Sequence, residues 1–418
     1  MLNFDIVKSI VKDKQYYKFC GYGFLKNFRF FDAFLILFLV EKGLPYTQIG
    51  ILYAIREIFI YVFEIPSGII ADSYGRKNTL IASLFAYISS FVIFYISSDF
   101  WFFLGAFIFY GVGDAFRSGT HKGMIMDYLK INQWEDQKID YYGHTRSWSQ
   151  KGSALSALIA GLIVFHTGSY QYIFLYSIIP YLLNLFLILS YPNELNLSSD
   201  RNELKQKVGI RIILRSFVEN IKQAQVLRII STSAIHSAYL KAVKDYIQPL
   251  MLNIALIIPF MLAIEQEKKI GIVVGVIYFF IFLLTSSASR LSSKIFAKRK
   301  QKISHLSLVV GFSFGVICGL FFHFDLWVFS LIAFVGIYII ENIRKPILTG
   351  FIADHVPNEI LTSVLSTQSL LSAFITAILA IAFGLFADNF GIGVSFMAIS
   401  GLLLVFSFLV IVFKPRQE

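Results

Sequence analysis

From Ile81 to Ile96 the chain carries no charged residue, and comparable apolar runs recur along its whole length. Such a run is long enough to cross most of a bilayer as a helix, and it lacks the period-two alternation of a membrane barrel strand. Composition extends this to the entire chain. Of 418 residues, 56% are hydrophobic and only 15% are charged. Soluble domains carry roughly 25% charged residues, so a cytosolic enzyme is excluded. An aromatic share of 17% excludes disorder as well.

The sequence therefore predicts an all-α membrane protein with twelve transmembrane helices in two pseudo-symmetric six-helix bundles. The spans fall at 19–40, 45–67, 78–97, 101–128, 143–166 and 170–190, then 226–256, 270–289, 304–323, 325–350, 361–386 and 391–413. This divides the chain into an N-terminal segment 1–18, a first bundle 19–190, a linker 191–225, a second bundle 226–413 and a tail 414–418. Within the linker, Leu204 to Ile221 mixes apolar and basic residues and reads as an amphipathic helix on the membrane surface. The N-terminus lacks the pattern of a cleaved signal peptide, because lysines interrupt it before any apolar core.

The net charge of +11 is explained by topology. With the N-terminus inside, the inner loops hold Lys8 to Lys18, Arg76, Lys77, Lys130, Lys138, Arg201 to Lys222, Arg290 to Lys302, Lys414 and Arg416. The outer loops hold only Lys42, Lys268 and Lys269. Both termini are thus expected in the cytoplasm, the protein in the cytoplasmic membrane, and no nucleic-acid partner is needed. The sequon Asn196-Leu197-Ser198 then lies inside and stays unmodified. Cys20 and Cys318 form no disulfide framework.

An internal repeat links the two sets of six. Asp114, Arg117, Gly123, Ile125 and Asp127 recur as Glu341, Arg344, Gly350, Ile352 and Asp354, each pair 227 positions apart. Parallel repeats of this kind build several transporter folds, with a site between the halves near the midplane.

Between spans two and three runs Gly68-Ile69-Ile70-Ala71-Asp72-Ser73-Tyr74-Gly75-Arg76-Lys77-Asn78-Thr79-Leu80. Gly68 permits close helix approach and Gly75 a tight turn. Asp72 is placed to cap another helix, and Arg76 can seek a carboxylate. This stretch resembles the signature of the major facilitator superfamily through Gly68, Ala71, Asp72, Gly75, Arg76, Lys77 and Leu80, departing at Ile70 and Ser73. The resemblance implies that Asp72, Arg76 and Asp127 form a cytoplasmic latch between the halves. It also implies that spans one, four, seven and ten line a central path. Phe107 replaces the arginine usual in helix four, and the helix-five Gly-Pro pattern of drug–proton antiporters is absent between Gly143 and His166.

Charges inside the spans are costly and mark a cavity or a partner. Arg29 and Asp32 lie midway along span one; Asp114, Arg117 and His121 follow one another along span four. Lys241, Lys244, Asp245 and Gln248 form one stripe of span seven, and Glu341, Arg344 and Lys345 occupy span ten. Arg29–Asp32 and Asp114–Arg117 read equally well as internal ion pairs, Glu57 or Glu64 as contacts to a neighbouring helix, and His121 as a hydrogen-bonded core histidine. Lys241 and Lys244 are expected in the cavity, with Pro249 loosening the helix beside them.

The function expected is secondary active transport of a small polar or anionic organic solute by alternating access, coupled to protons through Asp32 or Asp114. The alternatives are a proton-antiport efflux pump for amphipathic compounds and a non-transporting receptor. No zinc-protease motif or phosphate loop occurs, so neither a membrane enzyme nor a self-contained ATP-driven pump is indicated. The expected partners are a small solute, protons and the bilayer; no metal or cofactor is called for, and the protein is expected to be a monomer.

Overall fold

The computed structural model describes residues 11–196, 219, 224–258, 265–295, 300–356 and 358–412. The described residues are helical throughout, with no strand among them. The amphipathic stretch expected at 204–221 lies outside the described residues except for Glu219, as do the segment 1–10 and the tail 414–418.

Among the described residues, fourteen helices and the breaks between them decide how the spans run. Span one is split into α1 (Lys14–Lys26) and α2 (Leu35–Glu41), joined by a 3₁₀ turn at Phe30–Ala33. Span two is α3 (Tyr46–Tyr74) and span three is α4 (Arg76–Ile96). Span four is α5 (Phe100–Arg117) followed by α6 (Thr120–Ile131), and spans five and six are α7 (Lys138–Thr167) and α8 (Tyr172–Leu189). Span seven is α9 (Ala224–Val243) and α10 (Ile247–Ile257), again around a 3₁₀ turn, Lys244–Tyr246. Spans eight to ten are α11 (Gln266–Ile295), α12 (Lys300–His323) and α13 (Trp327–His355). Spans eleven and twelve are α14 (Asn358–Val412), which turns at Gly391 with φ 83°.

The breaks have local causes. Gly119 sits at φ +73°, a conformation only glycine adopts without strain, and it ends α5 two residues after Arg117. His121 therefore lies on a separate helix and does not continue the face of Asp114 and Arg117. Pro249 falls in the first turn of α10, where its missing N–H costs nothing, so the 3₁₀ turn before it absorbs the irregularity. This is why the stripe expected along span seven bends between Lys241 and Gln248.

Among the described residues, six helices satisfy both the length and the hydropathy of a bilayer span. Both pieces of span one are too short, α3 carries Arg56, Glu57 and Glu64 inside its apolar stretch, α5 is long enough but ends on Asp114 and Arg117, and α7 opens with a polar run. Large apolar side chains such as Phe85, Trp101, Phe186 and Leu402 remain exposed on the outer faces, as a lipid-facing surface requires.

Helices of the two halves meet most closely at the end opposite Gly75. A Cβ on Gly50 would lie 2.3 Å from the Ala380 carbonyl oxygen, and one on Gly161 would lie 2.5 Å from that of Gly271. Backbones this close exclude any side chain, so α3 against α14 and α7 against α11 form two tight seams. The Asp388 carboxylate caps the start of α3, accepting from Tyr46 N at 2.8 Å and Thr47 N at 2.7 Å.

Candidate transport site

The first polar centre gathers around Asp114 on α5. Its carboxylate accepts from Arg117 at 2.9 Å on the same helix, from Arg29 at 3.4 Å across the break in span one, and from the Tyr87 hydroxyl on α4. Arg29 also donates to the Tyr110 hydroxyl at 2.5 Å, and Arg117 Nε donates to Tyr87 at 3.0 Å. The break at Asn27–Phe34 is what turns Arg29 sideways towards α5. Arg29, Asp114 and Arg117 all keep some accessible surface at mid-span. Charges at that depth face water in a cleft, because lipid would not solvate them.

Arg29 is therefore paired with Asp114, and the ion pair expected with Asp32 does not form. Asp32 lies in the 3₁₀ turn, and among the described residues its carboxylate makes no hydrogen bond or ion pair. Only its backbone carbonyl is used, accepting from Gln248 Nε2 at 2.9 Å.

Gln248 is fully buried and works as a staple, not as a cavity-facing group. Its Oε1 accepts from Ile36 N at 2.8 Å and Leu37 N at 3.4 Å, capping the first turn of α2. A side chain of span seven thus supplies the cap that the broken span one lacks.

Between the halves, Lys241 reaches Glu57 at 3.4 Å, and Arg56 holds the other Glu57 oxygen at 3.2 Å. The Lys241 side chain remains 51% exposed, and Lys244 approaches Asp245 at 3.9 Å. Glu64 lies further along α3 and accepts from the Ser118 hydroxyl at 3.3 Å.

The second polar centre lies between α9 and α13. Glu341 accepts from Ser237 and meets His236 Nδ1 at 2.8 Å. Arg344 is 1% exposed, and it donates to Ser307 at 2.6 Å and to the Thr232 carbonyl at 2.7 Å. Lys345 is exposed beside them.

At the Gly75 end, Arg76 forms an ion pair with Asp127 at 3.0 Å. Its guanidinium lies across Gly123, where a Cβ would be 1.9 Å from Nη1. This pair joins α4 to α6 within one half, and the side chain of Asp72, the third member of the expected latch, lies outside the described residues. Gly75 turns at φ +94°, and Asn196 packs where its Cβ would be. Lys77 donates to the Leu189 and Tyr191 carbonyls at 2.9 and 2.8 Å and so closes the end of α8. Gly68 has no described neighbour within 4 Å of a would-be Cβ, so the close helix approach expected there is not seen among the described residues.

The sequence profile of the Major Facilitator Superfamily matches residues 27–366, most of this framework. The chain belongs to that superfamily. A curated relative, the uncharacterized MFS-type transporter YxaM of Bacillus subtilis (strain 168), is 22% identical over 377 residues, covering 90% of this chain and 89% of its own. Solved structures share the fold. The nucleoside transporter NupG is 13% identical with a TM-score of 0.77, covering 97% of this chain and 100% of its own. The D-xylose-proton symporter is 13% identical with a TM-score of 0.70, covering 96% and 97%. A peptide transporter POT in complex with sulfate is 15% identical with a TM-score of 0.72, covering 96% and 94%. The protein is accordingly a multi-pass membrane transporter and not an enzyme.

Within this superfamily fold, Arg29 of span one meets Asp114 of span four, and Gln248 of span seven meets the backbone of span one. Glu341 and Arg344 are drawn into helix packing, and His121 stacks on Tyr22 with ring centroids 3.9 Å apart. Two charged residues escaped the reading of the sequence. Arg56 was masked by its neighbour Glu57, although an arginine inside an apolar span was itself a signal. Lys26 looked like a residue near the start of span one, and only the early break places it beside Arg117 and Asp114.

Proposed function

We propose that the protein moves a small polar or anionic organic solute across the cytoplasmic membrane by proton-coupled alternating access. The observation that carries this reading is the charge balance at mid-depth. Lys26, Arg29, Arg56, Arg117, Lys241 and Lys244 face Asp32, Glu57, Asp114 and Asp245, leaving cations in excess. A surplus of positive charge inside a membrane span is costly until a ligand supplies the missing negative charge.

In this reading the halves 19–190 and 226–413 rock about the cleft, with both termini in the cytoplasm. The seams at Gly50–Ala380 and Gly161–Gly271 hold one end shut, and the Arg76–Asp127 pair with Asp72 serves the other. The Glu57–Lys241 pair spans the halves and opens when the solute binds Lys241 and Lys244. Asp32 carries the proton. Asp114 already accepts from two arginines and a tyrosine, and protonating it would break those bonds. The Asp32 carboxylate has no such partner to lose.

The test is uptake of radiolabelled mono- and dicarboxylates and organophosphates into proteoliposomes under an imposed pH gradient. The double variant Lys241→Gln/Lys244→Gln should insert normally and lose uptake of any acid the wild type takes. Undiminished uptake by that variant would remove the lysines from the site. Asp32→Asn should lose gradient-driven accumulation and keep solute exchange; accumulation that persists in Asp32→Asn would place the proton elsewhere.

A further inference from the structure

Three buried polar atoms near the Asp114 centre have no hydrogen-bond partner among the described residues: the Tyr22 hydroxyl, Nε2 of His121 and Nε of Arg29. Buried polar groups in folded proteins are almost always satisfied, so a cluster of unsatisfied ones calls for an occupant. They belong to one small region. Tyr22 and Lys26 are one turn apart on α1 and share a face with Phe19, which meets the His121 ring edge-on at 5.5 Å. The His121 ring lies flat on Tyr22. Lys26 is within electrostatic reach of Arg29, Arg117, His121 and Asp114, and among the described residues it forms no ion pair or hydrogen bond through its ammonium group.

The charge count is as uneven as the hydrogen bonding. Lys26, Arg29 and Arg117 bring three positive charges to a region with two acids, Asp114 and Asp32. Asp114 is already engaged by Arg29, Arg117 and Tyr87, so it has little left for Lys26. The groups without partners are all able to donate: an ammonium, a phenol, an imidazole in its Nε2–H tautomer and a guanidinium N–H. An amine or another cation would meet only like charge here. A sugar hydroxyl would leave the ammonium uncompensated.

We infer that Tyr22, Lys26, Arg29 and His121 form an oxyanion-binding pocket in the first half, built to take a carboxylate, sulfate or phosphate group. Charge-assisted bonds from Lys26 and Arg29 supply the attraction, and the Tyr22–His121 stack fixes the two neutral donors in place. The inference rests on the transport reading for one point only, that the occupant is the acid group of the transported solute. A free inorganic anion has the same chemistry and is separated by experiment.

The full-length protein in detergent is melted in sodium sulfate or sodium phosphate against sodium chloride of equal ionic strength. The oxyanions should raise the melting temperature of the wild type. Lys26→Gln should abolish that shift, and Tyr22→Phe, which keeps the ring stack, should weaken sulfate binding about tenfold. His121→Phe keeps an aromatic ring in the stack and should weaken it likewise. A sulfate effect of equal size in wild type and all three variants overturns the pocket, and so does the absence of any oxyanion effect on the wild type. Competition then identifies the occupant. Sulfate should inhibit organic-acid uptake by the wild type; sulfate that binds through Lys26 without inhibiting would refute the assignment to the solute. Oxyanion binding through Lys26 with no acid crossing the bilayer would sink the transport reading and leave the pocket standing. Acid uptake that is unchanged in Lys26→Gln would do the reverse.

Discussion

Asp114 and Glu341 occupy equivalent places in the internal repeat, and each is followed by an arginine one turn later. Their surroundings make them different. Asp114 is held by its own Arg117 and by Arg29, and the three stay at the edge of the cleft. Glu341 is held by His236 and Ser237, while Arg344 goes to a serine and a backbone carbonyl and is sealed from water. A repeat in sequence conserves position on the helix. What a charge does there is set by the side chains that other spans bring to it. In the first half these are a second arginine and tyrosines, which make an open charged centre. In the second half a histidine and a serine hold the acid and the arginine is sealed from water, which makes a packed one.

The largest effect should come from breaking the open centre. Asp114→Asn leaves Arg29 and Arg117 facing each other without a counter-charge. Removing one member of a buried ionic cluster costs about 3–5 kcal/mol, and partial exposure puts this case at the lower end. Thermal or chemical unfolding in detergent should show that loss together with loss of transport. Glu341→Gln should cost less, about 1–2 kcal/mol, because His236 can stay neutral and still hydrogen-bond the amide, and Arg344 keeps Ser307 and Thr232. Equal losses for the two variants would mean that the centres are electrostatically alike and that the contrast drawn between them is wrong.

Much of this was legible in the sequence. The apolar runs, the basic loops and the signature from Gly68 to Leu80 reveal the helical membrane fold, and intramembrane charges mark spans one, two, four, seven and ten. What was hidden lies in the breaks. Nothing in the run from Lys14 to Glu41 marks where α1 must stop, because that depends on Gln248 arriving from span seven to cap α2. Without the break, Arg29 and Asp32 are one helical turn apart and look paired. With it, Arg29 swings to Asp114 and Lys26 moves in beside them. Gly119 was a visible break, yet span four was read as continuous, which left His121 on the wrong helix. Pairings across the molecule, such as Arg344 with Thr232, leave no local pattern at all.

Gln248 offers a finer probe, because it is where the packed half corrects the backbone of the open one. Gln248→Leu removes the cap and leaves the Ile36 and Leu37 N–H groups unsatisfied, at a cost of about 1–2 kcal/mol. Gln248→Glu keeps an acceptor for those N–H groups and loses the donor to the Asp32 carbonyl. It should recover part of the loss. Hydrogen exchange at Ile36 and Leu37 is the direct readout. Faster exchange confined to those amides supports the cap, whereas unchanged exchange in Gln248→Leu would show that α2 needs no help from the other half.

The smallest effect is expected at Gly123, and it separates stability from pairing. A Cβ there collides with the Arg76 guanidinium, the flexible end of a long side chain, so the arginine moves aside at little cost. Alanine is also the better helix former by about 1 kcal/mol, which offsets a partly exposed ion pair worth about 0–1 kcal/mol. Gly123→Ala should therefore leave the melting temperature nearly unchanged while it uncouples Arg76 from Asp127. A double-mutant cycle with Arg76→Gln and Asp127→Asn measures that coupling in each background. A coupling present in the wild type and gone in Gly123→Ala shows that the glycine of the repeat serves the arginine of the motif. A coupling that survives would place the glycine's role in helix packing, which would make the first half more like the second.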